Sequence, residues 1–296
     1  MRRNAALQKE DRMTYDIIIS GSGPAGLAAA VAARGRGKSV LVIGTRWQDS
    51  PLAKAERVDN YLGLPGRTGL ELLEAFHRHA ADLGAELIVG KVLSVMAWKG
   101  FSLSVGSQIF QGRALVLAPG VVREVKYPGE ARYLGRGVSY CTTCDGMLYR
   151  NKAVTVVGLA PDAPQEAGHL KDLGCQVVYV SPHQRPADLA EDIPYVQARK
   201  LAVRGEQTVT GLEADGALLP CDGIFILRRA VAPADLLPGL ELEEGSIKVD
   251  RQMATNLPGV FAAGDCTGAP LQAAKAVGEG HVAGLSACGY LDSGLA

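Results

Sequence analysis

The stretch Tyr15-Asp16-Ile17-Ile18-Ile19-Ser20-Gly21-Ser22-Gly23-Pro24-Ala25-Gly26 decides the fold. A short, unbroken apolar run is what a strand buried on both faces of a parallel sheet requires. It leads into Gly-x-Gly-x-x-Gly, and Leu27-Ala28-Ala29-Ala30-Val31-Ala32-Ala33-Arg34 then reads as an Ala-rich helix. Gly21 fits the tight turn, Gly23 the close approach of a pyrophosphate to bare backbone, and Gly26 the close packing of helix on strand. Pro24 and Ala25 complete the loop at the helix start, where the helix dipole attracts phosphate charge. Val40-Leu41-Val42-Ile43 is the next strand, so the segment is a βαβ unit. The acid expected at the end of that strand, which would hold ribose hydroxyls, is missing; Gly44-Thr45-Arg46-Trp47 stands there. Thr45 can bond a ribose instead, with Arg46 or Trp47 on the adenine side.

Working outward, Glu71 to Leu83 is amphipathic and helical, and residues 86–117 read as several strands closing on Ala118-Pro119-Gly120. A second βαβ start appears at Ala153-Val154-Thr155-Val156-Val157-Gly158, followed by a helix at 163–173 and a strand at 176–180. Gly223 to Leu227 is a third strand of this set, leading to Pro233. Gly259 to Cys266 is a strand ending in a carboxylate, and an Ala-rich helix at 271–287 closes the chain. The expected fold class is α/β: two Rossmann-like domains of three-layer ββα form. One spans 14–120 and 243–296, the other is inserted at 121–242, and 1–13 is a disordered tail.

The bulk numbers exclude several classes. The 296 residues carry 31 basic and 31 acidic side chains, so no global field points to nucleic acid or a membrane surface. No apolar run reaches the roughly 18 residues of a spanning helix, and the polar start is not a signal peptide. Six cysteines in such a chain suit a reducing cytoplasm, where Cys-x-x-Cys is catalytic or metal-binding more often than structural.

That pair is Cys141-Thr142-Thr143-Cys144, followed at once by Asp145. Zinc would need a second close pair of ligands, and Cys175, Cys221, Cys266 and Cys288 are scattered singly. Inert structural thiols are the other alternative. The redox reading is favoured because a carboxylate beside a dithiol can shuttle the proton that thiol–disulfide exchange moves. No metal site is expected.

Cys141-Thr-Thr-Cys144-Asp145-Gly146 resembles the active-site motif of the low-molecular-weight, flavin-dependent thioredoxin reductases. So do Gly21–Gly26, Asp59-Asn60-Tyr61-Leu62-Gly63, Gly264-Asp265 and Pro270-Leu271-Gln272-Ala273-Ala274. The resemblance runs from Thr14 to the end, stronger in the outer domain than in the inserted one. It implies FAD across the outer domain, with Asp265 on the ribitol chain and Asn60 near the isoalloxazine. Leu271, Gln272 and Ala273 would present a helix N-terminus to the flavin pyrimidine edge, and Gly120 counts among the cofactor-binding residues. Cys144 would face the flavin, Cys141 would attack the substrate disulfide, and Asp145 would be the general acid. A homodimer and a rotating inserted domain are further family habits.

The departures bear on the electron donor. Where those reductases bind NADPH, this chain has Gly158-Leu159-Ala160-Pro161-Asp162-Ala163. Leu159 and Ala160 add side chains where backbone should be bare, and Pro161 removes an N–H. The strand that should deliver a basic cluster to a 2′-phosphate ends Ser181-Pro182-His183-Gln184-Arg185-Pro186, and Arg228 and Arg229 stand where a glycine would approach nicotinamide. The pattern resembles the ferredoxin-dependent flavin thioredoxin reductases, and Ser50-Pro51-Leu52-Ala53-Lys54-Ala55 and Ala262 to Gly268 agree. The expected partners are thioredoxin and ferredoxin, the latter meeting a mildly basic face that includes Arg123, Lys126, Arg132 and Arg136. The rivals are an FAD-dependent dithiol oxidase using oxygen, a thioredoxin reductase using NADH or NADPH, and a non-catalytic flavoprotein sensor.

Overall fold

The structure is a computed structural model, described here for residues 14–121, 126–228 and 231–294. The expected tail at 1–13, Arg123 and Arg229 lie outside the described residues. The chain forms two compact units, one from residues up to Val121 and from Pro233 onward, the other from 122 to 232. The return to the first unit therefore falls at Pro233, not at the expected 243. Pro233–Leu236 already forms a short helix that packs on a strand of the first unit.

The first unit opens with β1 (Thr14–Ser20), α1 (Pro24–Arg34), β2 (Val40–Gly44), α2 (Gly69–Asp82) and β3 (Glu86–Val89). A meander of β4 (Val92–Ala97), β5 (Phe101–Val105) and β6 (Gln108–Leu117) follows. Strands β3, β2, β1 and β6 lie side by side and parallel. The first half of β6 pairs antiparallel with β5, so this one long strand joins the meander to the parallel sheet. Helix α2 starts earlier than Glu71 because Thr68 caps it: its Oγ1 accepts from Glu71 N at 3.2 Å, and Thr68 N donates to Glu71 Oε2 at 2.8 Å. That reciprocal pair is a capping box.

The second unit contains α3 (Glu130–Tyr133), β7 (Val138–Ser139), α4 (Thr142–Asp145), β8 (Ala153–Gly158), α5 (Ala163–Asp172), β9 (Gln176–Ser181) and β10 (Tyr195–Gln197). Strands β11 (Leu201–Gly205), β12 (Val209–Ala214) and β13 (Ala217–Pro220) form an antiparallel sheet, and β14 (Gly223–Leu227) returns to the parallel one. The parallel order is β10-β9-β8-β14-β7. Strand alternation builds two cores: Ile224 and Ile226 face the antiparallel sheet, while Phe225 and Leu227 face α5.

Back in the first unit come α6 (Pro233–Leu236), a hairpin of β15 (Leu242–Glu243) and β16 (Ser246–Ile247), β17 (Val260–Ala262) and α7 (Ala273–Asp292). Strand β17 joins β6 in parallel, completing the sheet. Helices α1 and α7 pack backbone against backbone. A Cβ on Gly280 would lie 2.0 Å from Ala25 O, and one on Gly284 2.5 Å from Ala29 O. Small residues on both helices are what permit that approach. Among the described residues no helix is long and apolar enough to cross a membrane.

Candidate functional site

The glycine loop after β1 is shaped by two close approaches and one opening. Gly21 has φ +121°, and a Cβ there would sit 2.0 Å from Ala118 O; a Cβ on Gly26 would sit 1.9 Å from Gly21 O. Nothing lies within 4 Å of where a Gly23 Cβ would be. Bare backbone facing open space at a helix start is what a pyrophosphate requires. Pro24 is at the first turn of α1, which carries no acidic residue there and no side-chain cap, so its N–H groups remain available to an anion. The missing acid after β2 has a local counterpart: a Cβ on Gly44 would meet Ser22 Oγ at 2.2 Å, so β2 ends directly behind the loop. Thr45 is exposed, and its carbonyl accepts from Ser22 Oγ at 3.3 Å. Trp47 stacks on His77, ring centroids 5.2 Å apart. Burial pulls the His77 imidazole below its ordinary pKa, against a bond to Ser22 O.

The end of β17 meets the same loop. Gly264 has φ +89°, and a Cβ on it would lie 2.8 Å from Ala25 Cβ. Asp265 follows, half-buried, opening a single 3-10 turn. Burial pushes its carboxyl above the usual range; Lys275 opposes this and Glu279 adds to it. The turn rests on a brace that the sequence reading missed. Lys275 Nζ donates to Gly264 O at 2.9 Å and Gly268 O at 2.7 Å, while Glu279 Oε2 accepts from Gly264 N at 2.9 Å. The available signal was a Lys–Glu pair at i,i+4 in an otherwise Ala- and Gly-rich helix. Gln272 is the N-cap of α7, again with no acidic residue in the first turn, and Leu271 is exposed beside it. Asn60 Nδ2 donates to Gln272 Oε1 at 2.7 Å, which brings together residues 212 positions apart. Gly120, at φ +73°, also faces open space beyond β6.

In the second unit, Cys141 and Cys144 form a disulfide, with Cα atoms 5.3 Å apart. Cys141 is buried and Cys144 exposed. Cys144 N donates to Cys141 Sγ at 3.0 Å. Ser139, buried, donates from Oγ to Asp145 Oδ2 at 2.7 Å and accepts from Cys141 N at 3.1 Å. It joins the carboxylate to the dithiol and is a second contact that the sequence did not reveal. Thr142, between the cysteines, donates to Glu166 of α5. Among the described residues no group of three or more His, Cys, Asp or Glu side chains could hold a metal ion.

The loop after β8 is built differently from the loop after β1. A Cβ on Gly158 would meet Tyr179 Oη at 1.8 Å, so that space is taken by a tyrosine hydroxyl. Tyr179 is buried, which pushes its pKa up to about 12. Leu159 packs on the core, and its N–H is bound to Leu227 O at 2.9 Å. Ala160 is buried, and its carbonyl accepts from Ala163 N at 3.2 Å. Asp162 stands at the N-cap position of α5 without a side-chain bond to its first turn, Pro164 lies in that turn, and Glu166 adds a negative charge there. Arg185, the one cation after β9, is committed to Ala190 O at 2.7 Å and Ile193 O at 3.1 Å.

An open glycine loop of dinucleotide type in one α/β unit and a Cys-x-x-Cys disulfide in the other define a disulfide oxidoreductase with a nucleotide-type cofactor. The family described as pyridine nucleotide-disulphide oxidoreductase matches residues 15–280, and the chain belongs to it. It is similar to the crystal structure of a ferredoxin-flavin thioredoxin reductase from Clostridium acetobutylicum, at 40% identity and TM-score 0.85, covering 95% of this chain and 99% of that one. A thioredoxin reductase structure from Gloeobacter violaceus matches at 33% identity and TM-score 0.76, covering 96% of each chain. The thioredoxin reductase of Aquifex aeolicus is 33% identical over 282 residues, 88% of this chain and 87% of that one. The chain is a flavin disulfide oxidoreductase of thioredoxin reductase type, and its cofactor is FAD. The open space at Gly23 and the acid-free starts of α1 and α7 fit that group.

Proposed function

We propose that the protein reduces the disulfide of thioredoxin through FAD and Cys141–Cys144, with reduced ferredoxin rather than NADPH as the electron donor. The observation that carries the donor assignment is the loop after β8. Its N–H groups at Leu159 and Ala163 are already bonded, Pro161 has none, and Asp162 and Glu166 place negative charge where a pyrophosphate would bind. The name of the Clostridium relative supports the same donor.

Gly21, Gly23, Pro24, Ala25 and Gly26 would hold the FAD pyrophosphate, with Thr45 on the adenosine side and Gly120 beside the loop. Asp265, kept in place by the Lys275–Glu279 brace, would bond the ribitol chain; Asn60 and the Leu271-Gln272-Ala273 helix start would flank the ring. When bound, FAD supplies the conversion of single electrons from ferredoxin into the electron pair that a disulfide needs.

That pair and one proton open Cys141–Cys144, leaving Cys144 as the thiol and Cys141 as thiolate, the form that the Cys144 N–H bond favours. The Cys141 thiolate attacks one sulfur of the thioredoxin disulfide. A mixed disulfide forms, and the other thioredoxin sulfur leaves, taking a proton from Asp145. Cys144 then attacks Cys141 Sγ, its proton returning to Asp145. The second thioredoxin sulfur is released and picks up a proton from solvent, and the Cys141–Cys144 bond is restored. Ser139 holds Asp145 against this segment throughout. Exposure in the oxidised form favours Cys144 as the sulfur that meets substrate, whereas thiolate stabilisation favours Cys141. Trapping separates them: Cys144→Ser should accumulate a covalent thioredoxin adduct and Cys141→Ser should not. The opposite pattern exchanges the two roles.

Exposed Lys126, Arg132 and Arg136 provide positive charge for an acidic ferredoxin. A homodimer is part of the same proposal. Thioredoxin reduction measured with each donor tests the reading: turnover with reduced ferredoxin and none with NADPH or NADH. Peroxide formation from oxygen after dithiol reduction would instead identify a dithiol oxidase.

A further inference from the structure

In the second unit the strand order reverses between β8 and β14: β9 and β10 lie on one side, β7 on the other. Open parallel sheets bind their ligands outside the carboxyl ends of the strands at such a point. Leu227, the last residue of β14, is paired with Gly158, the last of β8, and Arg228 comes next. Its side chain is 8% exposed, and its partner Glu130 is 0% exposed. Two guanidinium nitrogens reach two carboxylate oxygens, at 2.5 Å and 2.8 Å. The carboxylate accepts two further bonds, from Tyr127 N at 2.8 Å and Tyr140 Oη at 2.8 Å. Four donors satisfy its acceptor sites. The guanidinium carbon lies 5.4 Å and 5.9 Å from the ring centroids of Tyr127 and Tyr140.

A buried ion pair is weak support for stability as such, since apolar residues often do as well; what it gives is one arrangement rather than several. Here that arrangement includes Tyr140, the residue before Cys141. We propose that Arg228 and Glu130 are positioning residues: they fill the crevice at the strand reversal and, through the Tyr140 hydroxyl, hold the dithiol segment in the geometry of its disulfide form. The inference does not rest on ferredoxin being the donor.

The test uses the flavin-loaded protein and no donor at all. Cys141–Cys144 is equilibrated with mixtures of oxidised and reduced dithiothreitol, and the free thiols are counted by alkylation. Tyr140→Phe removes one hydroxyl, and the double variant Glu130→Gln with Arg228→Met removes both charges together. Loss of a bond made in the disulfide form moves the exchange constant toward the dithiol by about fivefold, the scale of one hydrogen bond. Melting temperature and bound FAD report whether each variant is folded. An exchange constant unchanged, or moved toward the disulfide, in folded protein of both variants overturns the proposal.

Discussion

The loops after β1 and after β8 occupy equivalent places in two similar folds and have opposite interiors. In the first, the place of a Gly23 Cβ is empty and the helix behind it begins without an acid. In the second, a tyrosine hydroxyl stands against Gly158, Leu159 is drawn into the core, and Asp162 and Glu166 lie at the helix start. The difference shows that a Rossmann-like unit keeps its fold without its phosphate cradle. The strands and the helix are held by apolar packing, while the cradle needs only unfilled space and unpaired N–H groups, which a few side chains remove.

The largest effect is expected at Gly21. Alanine there meets both a left-handed backbone and a carbonyl at 2.0 Å, so Gly21→Ala should destabilise the first unit by more than about 3 kcal/mol and leave little folded flavoprotein. Gly23→Val sharpens the contrast, because its side chain enters open space: the melting temperature of the flavin-free protein should hold, while FAD content after purification falls about tenfold. A loss of fold in that variant would mean the space is not a cradle.

A smaller effect is expected from Glu130. Burial pushes its carboxyl up, but Arg228, Tyr127 N–H and Tyr140 outweigh this and hold it below the ordinary value. The folded-state value is lowered, so the stabilisation is complete above the unfolded value of about 4.3 and fades as pH falls through the folded one. Melting temperatures measured between neutral pH and pH 3 should therefore drop less steeply for Glu130→Gln than for the parent. The smallest effect belongs to the second loop itself. Leu159→Gly with Ala160→Gly should change neither FAD content nor the response to NADPH, since Asp162, Glu166 and Arg228 remain; NADPH turnover gained from those two changes would break the comparison.

Much of this was legible in the sequence, for a physical reason. The βαβ units and both loops are local patterns, in which periodicity and glycine spacing act within some thirty residues. Departures at Leu159, Ala160 and Pro161 could be read the same way. Boundaries set by side chains were less visible: Thr68 moves the start of α2, and α7 runs on to Asp292, past the expected 287. The missed contacts join distant residues. Glu130 and Arg228 are 98 positions apart, and neither residue alone points to the other. The Lys275–Glu279 brace is local, but only the folded turn at Gly264 shows what it holds.

The most direct measurement is an anaerobic absorbance titration of the flavin, with NADPH and then with reduced ferredoxin, in the presence of thioredoxin. NADPH should cause no rapid bleaching, and ferredoxin should bleach the flavin with two thiols appearing in each thioredoxin reduced. Rapid bleaching by NADPH would contradict the donor assignment, because the loop after β8 would then be binding a nucleotide despite its bonded N–H groups and its acidic helix start.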